Sequence, residues 1–273
     1  MNKYVEKALK NNININSEKI VFISDMHLGA GDNADETINV QHLIFHALTK
    51  YNEEGYKVVL LGDTFELAET HDIEKIKNAH DDIMWILSEI NNKGNLIVVR
   101  GNHDYMLKKS MLSKRTSQYD GKEIDFLTNV PIVDSVLVGD KIIALHGNQF
   151  FKRYSCWTNK IIVKLGSFWK KWQLFFKDYH IAEYTGWQEA DECQKSFSVY
   201  GITIDKFIII GHTHKCNFNL PNFSDCGTFG CMPRCITAAE YIDNKVNVIK
   251  WSEVIKSNGD VVVEKNILGQ NSL

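Results

Sequence analysis

Proline is scarce, with three residues in 273, and no stretch of eighteen consecutive apolar residues occurs. The second absence leaves no candidate for a membrane-spanning helix. There is also no internal repeat and no low-complexity linker, so a repeat array or a tethered multidomain chain is not expected. Six cysteines are present, but none is spaced C-x₂-C; Cys216, Cys226, Cys231 and Cys235 fall within twenty positions, while Cys156 and Cys193 stand apart. Such spacing does not suggest a structural zinc site, and the cysteines are read as free thiols. The formal net charge of −3 argues against a globally basic nucleic-acid binder. The first nineteen residues, rich in Asn, Lys and Glu, lack the apolar core of a signal peptide, and the expectation is a cytoplasmic protein.

What is present is a soluble α/β pattern. Hydrophobic residues make up 44% of the chain and charged residues 24%, enough to bury a large core in one domain of residues 1–273. "KIVFIS" (Lys19 to Ser24), "KVVLLG" (Lys57 to Gly62) and "NLIVVR" (Asn95 to Arg100) are continuous apolar runs, as expected of strands covered on both faces. Helical spacing from Glu36 to Tyr51 and a second helix from Ile73 to Asn91 separate them. The order strand, helix, strand, helix, strand predicts a largely parallel sheet. Further strands are expected at Ile132 to Val138, Lys141 to Leu145 and Phe207 to Ile210. Gly139-Asp140 marks a hairpin between the first two of these, and more hairpins follow Ile236.

Five of the apolar runs end in the same kind of residue. They lead into "SDMHLG", "GDTFE", "GNHD", "ALHGN" and "GHTH". A single Asp, Asn or His after a strand is an ordinary turn. Five in order place donor groups together at the strand ends, where α/β folds gather their ligand sites. Asp, Asn and neutral His without thiolate make a hard-to-borderline donor set, suited to Mn, Fe or Zn. Seven such donors exceed the needs of one ion and suit two that share a carboxylate.

The ordered motifs, from about Ile20 to His214, resemble the calcineurin-like metallophosphoesterase superfamily. The resemblance implies a four-layer αββα sandwich and two divalent or trivalent metal ions, with manganese foremost and iron or zinc as alternatives. It places one ion on Asp25, His27 and His214, the other on Asn102, His146 and His212, with Asp63 shared. It makes His103 a general acid or transition-state stabiliser and gives Asp104 the task of orienting the His103 ring. The implied reaction is hydrolysis of a phosphoester or pyrophosphate, by in-line attack of a hydroxide shared between the ions. Two positions depart from the common pattern: Asn148 and Glu66 stand where Asp is frequent.

Substrate class is sought in a segment after His146, a helical lid insertion expected at about 152–203. Between Cys156 and Lys177, Trp157, Ile161, Leu165, Trp169, Trp172 and Phe176 recur at helical spacing. From Lys152 to Lys177 there are seven basic residues and no acidic one. A basic amphipathic helix with this face fits a lipid or membrane surface, a lid packed on the core, or a homodimer interface. A helical insertion here, with "GDTFE", also resembles the UDP-2,3-diacylglucosamine hydrolases, although that group commonly reads GNRD where this chain has Gly101-Asn102-His103-Asp104. That resemblance implies a lipid-linked nucleotide as substrate and a peripheral location at the membrane. A soluble phosphodiesterase or phosphomonoesterase acting on nucleotides or phosphoproteins is the alternative, and a non-catalytic scaffold a third. No nucleic-acid partner is expected, because the basic residues sit in one amphipathic segment. Substrate contacts are sought at Arg100, Asn33, His71, Trp157, Trp169 and Trp172. His42, His46, His80 and His180 are assigned to surface or packing.

Overall fold

The continuous apolar runs are continuous because both faces of their strands are covered. In the computed structural model, which describes residues 3–113, 116–119, 122–125, 127–150 and 187–273, Lys19–Ile23, Lys57–Leu61 and Leu96–Val99 are parallel neighbours. Val21, Ile23, Val58, Leu60, Leu96 and Val98 face an outer layer of helices. Ile20, Phe22, Val59, Leu61, Ile97 and Val99 face a second sheet. Each such side chain, removed from water, contributes roughly 1.5–3 kcal/mol of transfer free energy.

In chain order the strands are β1 (Asn12–Ile15), β2 (Lys19–Ile23), β3 (Lys57–Leu61), β4 (Leu96–Val99), β5 (Thr116–Tyr119), β6 (Lys122–Asp125), β7 (Ile132–Val133), β8 (Ser135–Val138), β9 (Ile142–Ala144), β10 (Phe207–Ile210), β11 (Phe223–Asp225), β12 (Cys235–Ile242), β13 (Lys245–Ile255) and β14 (Val261–Ser272). The first sheet runs β14-β13-β12-β2-β3-β4-β7 and the second β1-β8-β9-β10-β11, while β5 and β6 pair as a separate hairpin. The helices are α1 (Lys3–Lys10), α2 (Gln41–Glu53), α3 (Leu67–Thr70), α4 (Ile73–Ala79), α5 (Asp81–Asn92), α6 (Lys109–Leu112) and α7 (Trp187–Ile204). Helices α2, α4 and α5 cover the first sheet. Val5 of α1 and Cys193, Phe197 and Tyr200 of α7 cover the second, against Ile143, Ile208, Ile210 and Phe223. Helix, sheet, sheet, helix is the expected four-layer sandwich.

Several boundaries differ from the sequence reading. The helix expected over Glu36 to Tyr51 begins at Gln41, because Glu36–Asn39 form a 3₁₀ turn. Thr37 holds that turn in place, its hydroxyl donating to the carbonyls of Met26 and His27. The helix expected over Ile73 to Asn91 is broken at His80, whose buried ring bonds Asp35 Oδ2 at 2.8 Å. The strand expected over Ile132 to Val138 is two strands in two different sheets. The chain crosses between them at Asp134, which accepts from Arg100 Nη1 and Asn11 Nδ2. The hairpin at Gly139-Asp140 is present as the antiparallel pair β8 and β9. The residues 187–203 of the expected insertion belong to α7, which packs on the second sheet; 151–186, with Trp157, Trp169, Trp172 and His180, lie outside the described residues.

Candidate metal centre

The five motifs come from two sheets, not from one sheet edge. Those after β2, β3 and β4 leave the first sheet; those after β9 and β10 leave the second. The loops after β2 and β3 keep the ladder going beyond the strands. Asp25 N–H donates to Gly62 O at 3.1 Å, His27 N–H to Asp63 O at 3.0 Å and Leu28 N–H to Thr64 O at 3.0 Å. Within this lattice Asp25, His27, Asp63, His212 and His214 all take left-handed backbone angles, with φ between 49° and 69°. Few non-glycine residues adopt that region, and a concentration of them is the kind of strain that a functional site retains. Gly101 is needed for close approach: a Cβ there would lie 2.1 Å from Asp63 Oδ1.

On one side stand Asp25, His27 and His214. Asp25 is fully buried; its Oδ2 accepts from His212 N–H at 2.7 Å. Its Oδ1 has no hydrogen-bond partner, although Nε2 of His214 lies 3.2 Å away and Nε2 of His27 3.7 Å. The two Nε2 atoms are 3.3 Å apart. Burial pushes the Asp25 carboxyl up, but His214 and His27 together hold it well below the usual carboxylate range. A buried anionic oxygen without a hydrogen bond, facing two ring nitrogens, is costly unless a cation joins them.

The other side holds Asp63, Asn102, His146 and His212. His146 Nδ1 donates to Leu61 O at 3.0 Å, so in the neutral ring Nε2 carries the lone pair. That Nε2 faces Asn102 Oδ1 at 3.1 Å and Asp63 Oδ2 at 3.0 Å. In that neutral tautomer three acceptors converge, an arrangement that calls for positive charge among them. The protonation preference says the same. Burial disfavours a charge on His146, yet Asp63, with Asp25 and Asp104 behind it, raises it to about 9. His212, with its ring 4.9 Å away, is pushed down to about 3 by burial and by His146, and so is neutral. Donor atoms of Asp63, His146 and His212 lie within 4.8 Å of one another, as do those of Asp25, His27 and Asp63. The two sides therefore meet at Asp63. Carboxylate, amide and imidazole donors in this arrangement fit divalent metal ions.

His103 sits at the rim, its side chain 31% exposed. Glu66, not Asp104, holds its ring: Nδ1 of His103 is 2.8 Å from Glu66 Oε1, and Nδ1 of His27 is 2.7 Å from Oε2. Asp104 does something else. Its two oxygens accept from Gly101 N–H at 2.6 Å and Thr64 N–H at 2.9 Å, stapling the second and third motifs together. Asp104 is buried, and burial followed by Asp63 raises it to about 6, against the lowering effect of its backbone donors and His146. In the sequence Glu66 stands out only as a departure from the common pattern; the usable signal is a carboxylate within the same block as Asp63. His103 is raised above its ordinary value, since Glu66 and Asp63 outweigh the burial that lowers it.

The expected substrate contacts are placed unevenly. Arg100 is committed to Asp134, at 2.8 Å, and to Leu107 O. Asn33 and His71 are exposed, on the loop after β2 and at the end of α3. Trp157, Trp169 and Trp172 lie outside the described residues.

A family model described as calcineurin-like phosphoesterase matches residues 18–216, a span that contains all five motifs. Solved structures matching the chain include Vps29 from Chaetomium thermophilum, 12% identical over 94% of this chain and 99% of that one, with a TM-score of 0.41. The same protein complexed with a RaPID-derived cyclic peptide, RT-D3, matches at 9% identity over 93% and 96% of the two chains, with a TM-score of 0.39. No match is found among curated proteins.

Proposed function

The chain belongs to the calcineurin-like phosphoesterase family, and on that premise we propose that it hydrolyses phosphoesters or pyrophosphates with two metal ions, manganese foremost. The observation that carries this reading is the convergence of buried donor atoms: Asp25 Oδ1 without a hydrogen-bond partner, and His146 Nε2 facing two oxygens. Asp25, His27 and His214 would hold one ion, Asn102, His146 and His212 the other, and Asp63 both. When bound, the ions supply Lewis-acid charge for the phosphoryl oxygens and lower the pKa of a water nucleophile.

The protein's own groups account for the remaining steps. Leu61 O fixes the tautomer of His146, and Glu66 fixes the ring of His27, so each presents Nε2 inward. Glu66 also favours protonated His103 and takes its Nδ1, which leaves Nε2 to deliver a proton to the departing oxygen. Asp104 and the Gly101 turn keep Asn102 and His103 in register with Asp63, whose Oδ1 accepts from His103 N–H at 2.7 Å.

For the substrate, we propose an amphiphilic phosphate such as UDP-2,3-diacylglucosamine, its acyl part received by residues 156–177, which would also touch the membrane surface. The Trp, Ile, Leu and Phe residues at helical spacing, in a stretch with basic and no acidic residues, support this. No helix among the described residues is long and apolar enough to cross a membrane. The test is a manganese-supplemented assay with bis-p-nitrophenyl phosphate, p-nitrophenyl phosphate and a UDP-linked lipid sugar. Turnover of the lipid sugar that is lost on deleting 156–177 supports the amphiphilic substrate. Turnover of the soluble esters alone, indifferent to that deletion, identifies a soluble esterase. Silence on all three overturns the hydrolase.

A further inference from the structure

The thiol of Cys231 stands beside the centre without belonging to any of the five motifs. Its Sγ lies within 4.8 Å of a ring nitrogen of His27 and one of His214, and these atoms form one donor group. The position is fixed by contacts to the first motif. Thr228 Oγ1 donates to Asp25 O at 2.9 Å and accepts from Cys231 N–H at 3.1 Å; Phe229 N–H donates to Ser24 O at 2.9 Å. Gly230 passes so close that a Cβ would sit 2.0 Å from Met26 O. The loop after β11 is therefore stapled to the backbone of Ser24, Asp25 and Met26, and Sγ comes to 3.8 Å from Asp25 O.

A second observation points to the same spot. Asp25 Oδ1 is fully buried and has no hydrogen bond, and it faces Nε2 of His214 and Nε2 of His27, the two rings that Cys231 Sγ also reaches. Metal–ligand bonds of ~2.0–2.3 Å at tetrahedral angles put donors ~3.3–3.8 Å apart. The separations are 3.3 Å between the two Nε2 atoms, and 3.2 Å from His214 Nε2 and 3.7 Å from His27 Nε2 to Asp25 Oδ1. One oxygen and two nitrogens thus surround one point, and Cys231 Sγ lies within 4.8 Å of a nitrogen of each of the same two rings.

We propose that Cys231, as a thiolate, is a ligand of the ion held by Asp25, His27 and His214. This rests on the metal-centre reading and makes the two positions chemically unequal. Sulfur on one side favours a thiophilic ion such as zinc, whereas the Asn102, His146 and His212 side offers only nitrogen and oxygen and accepts manganese. Binding there releases the thiol proton to solvent.

Cobalt(II) titration of the metal-free full chain, followed by absorption, tests this without an activity assay. Visible d–d bands report occupancy of the centre, and a near-ultraviolet thiolate-to-cobalt band reports sulfur. The expected result is both in the unaltered protein, with the thiolate band alone lost in Cys231→Ser. Iodoacetamide labelling mapped by mass spectrometry gives a second readout on the unaltered chain: bound cobalt should slow alkylation at Cys231 but not at Cys216 or Cys235. Visible bands without a thiolate band, or a thiolate band that survives Cys231→Ser, overturn the proposal and leave the centre standing. Absence of any cobalt band overturns both.

Discussion

Glu66 divides its carboxylate between two histidines that have different tasks, holding His27 through Oε2 and His103 through Oε1. Replacing it by Gln keeps the shape and removes the charge. Loss of such an outer partner typically costs roughly 10–100-fold in metal affinity or activity. The pH profile should move as well. Glu66 raises His103, so in Glu66→Gln the basic limb, where protonated His103 is lost, should shift to lower pH. A rate profile measured against pH separates this from simple misfolding, which would lower the rate at every pH. At Gly101 the expected effect is steric: Gly101→Ala drives a methyl into Asp63 Oδ1 and should abolish tight metal binding in a calorimetric titration. An alanine variant that binds metal as before would contradict the packing described for the third motif.

At the scale of elements, what could be read from the chain followed the range of the interaction responsible. Strands β2, β3, β4 and β10 were legible because their apolar runs are local, and the donor residues at their ends were legible with them. The break at His80 was not, since it depends on Asp35 forty-five positions away. Nor was the split at Asp134, where a single run of strand-forming residues serves two sheets. The role given to Asp104 failed for a related reason: adjacency in sequence suggested a partner for His103, but Asp104 turns to backbone amides and Glu66 takes the ring. Arg100 illustrates the difference between a cation near a site and one in it. Its guanidinium bridges Asp134 and Leu107 O, so Arg100→Ala should lower the melting temperature by loosening the crossing between sheets. A half-exposed pair of this kind is worth up to about 1 kcal/mol. The kcat/KM for a soluble phosphoester should stay nearly unchanged; a large fall would restore Arg100 as a phosphate contact.

Across the whole molecule, the site draws on both sheets, so its stability and theirs are linked. Asp225, at the end of β11, is buried and raised to about 8, because burial outweighs its bonds to Gly227, Thr213 and Gln194. Its folded value lies above that of an unfolded aspartate, so the native state binds more protons in between. The stabilisation is full below the unfolded value and is lost as pH rises through about 8. Thermal unfolding at a series of pH values should show Asp225→Asn declining less steeply between about pH 5 and 8 than the unaltered chain. Identical slopes would mean that Asp225 is already ionised in the folded protein. Metal should act in the opposite sense, stabilising by about 2.7 kcal/mol at a hundred times its dissociation constant. The central claim, that five motifs from two sheets build one dinuclear centre, is tested most directly by anomalous diffraction from crystals equilibrated with manganese. The expected result is two peaks flanking Asp63, one bounded by Asp25, His27 and His214 and the other by Asn102, His146 and His212. Saturating manganese with no peak within bonding distance of Asp63 would contradict it.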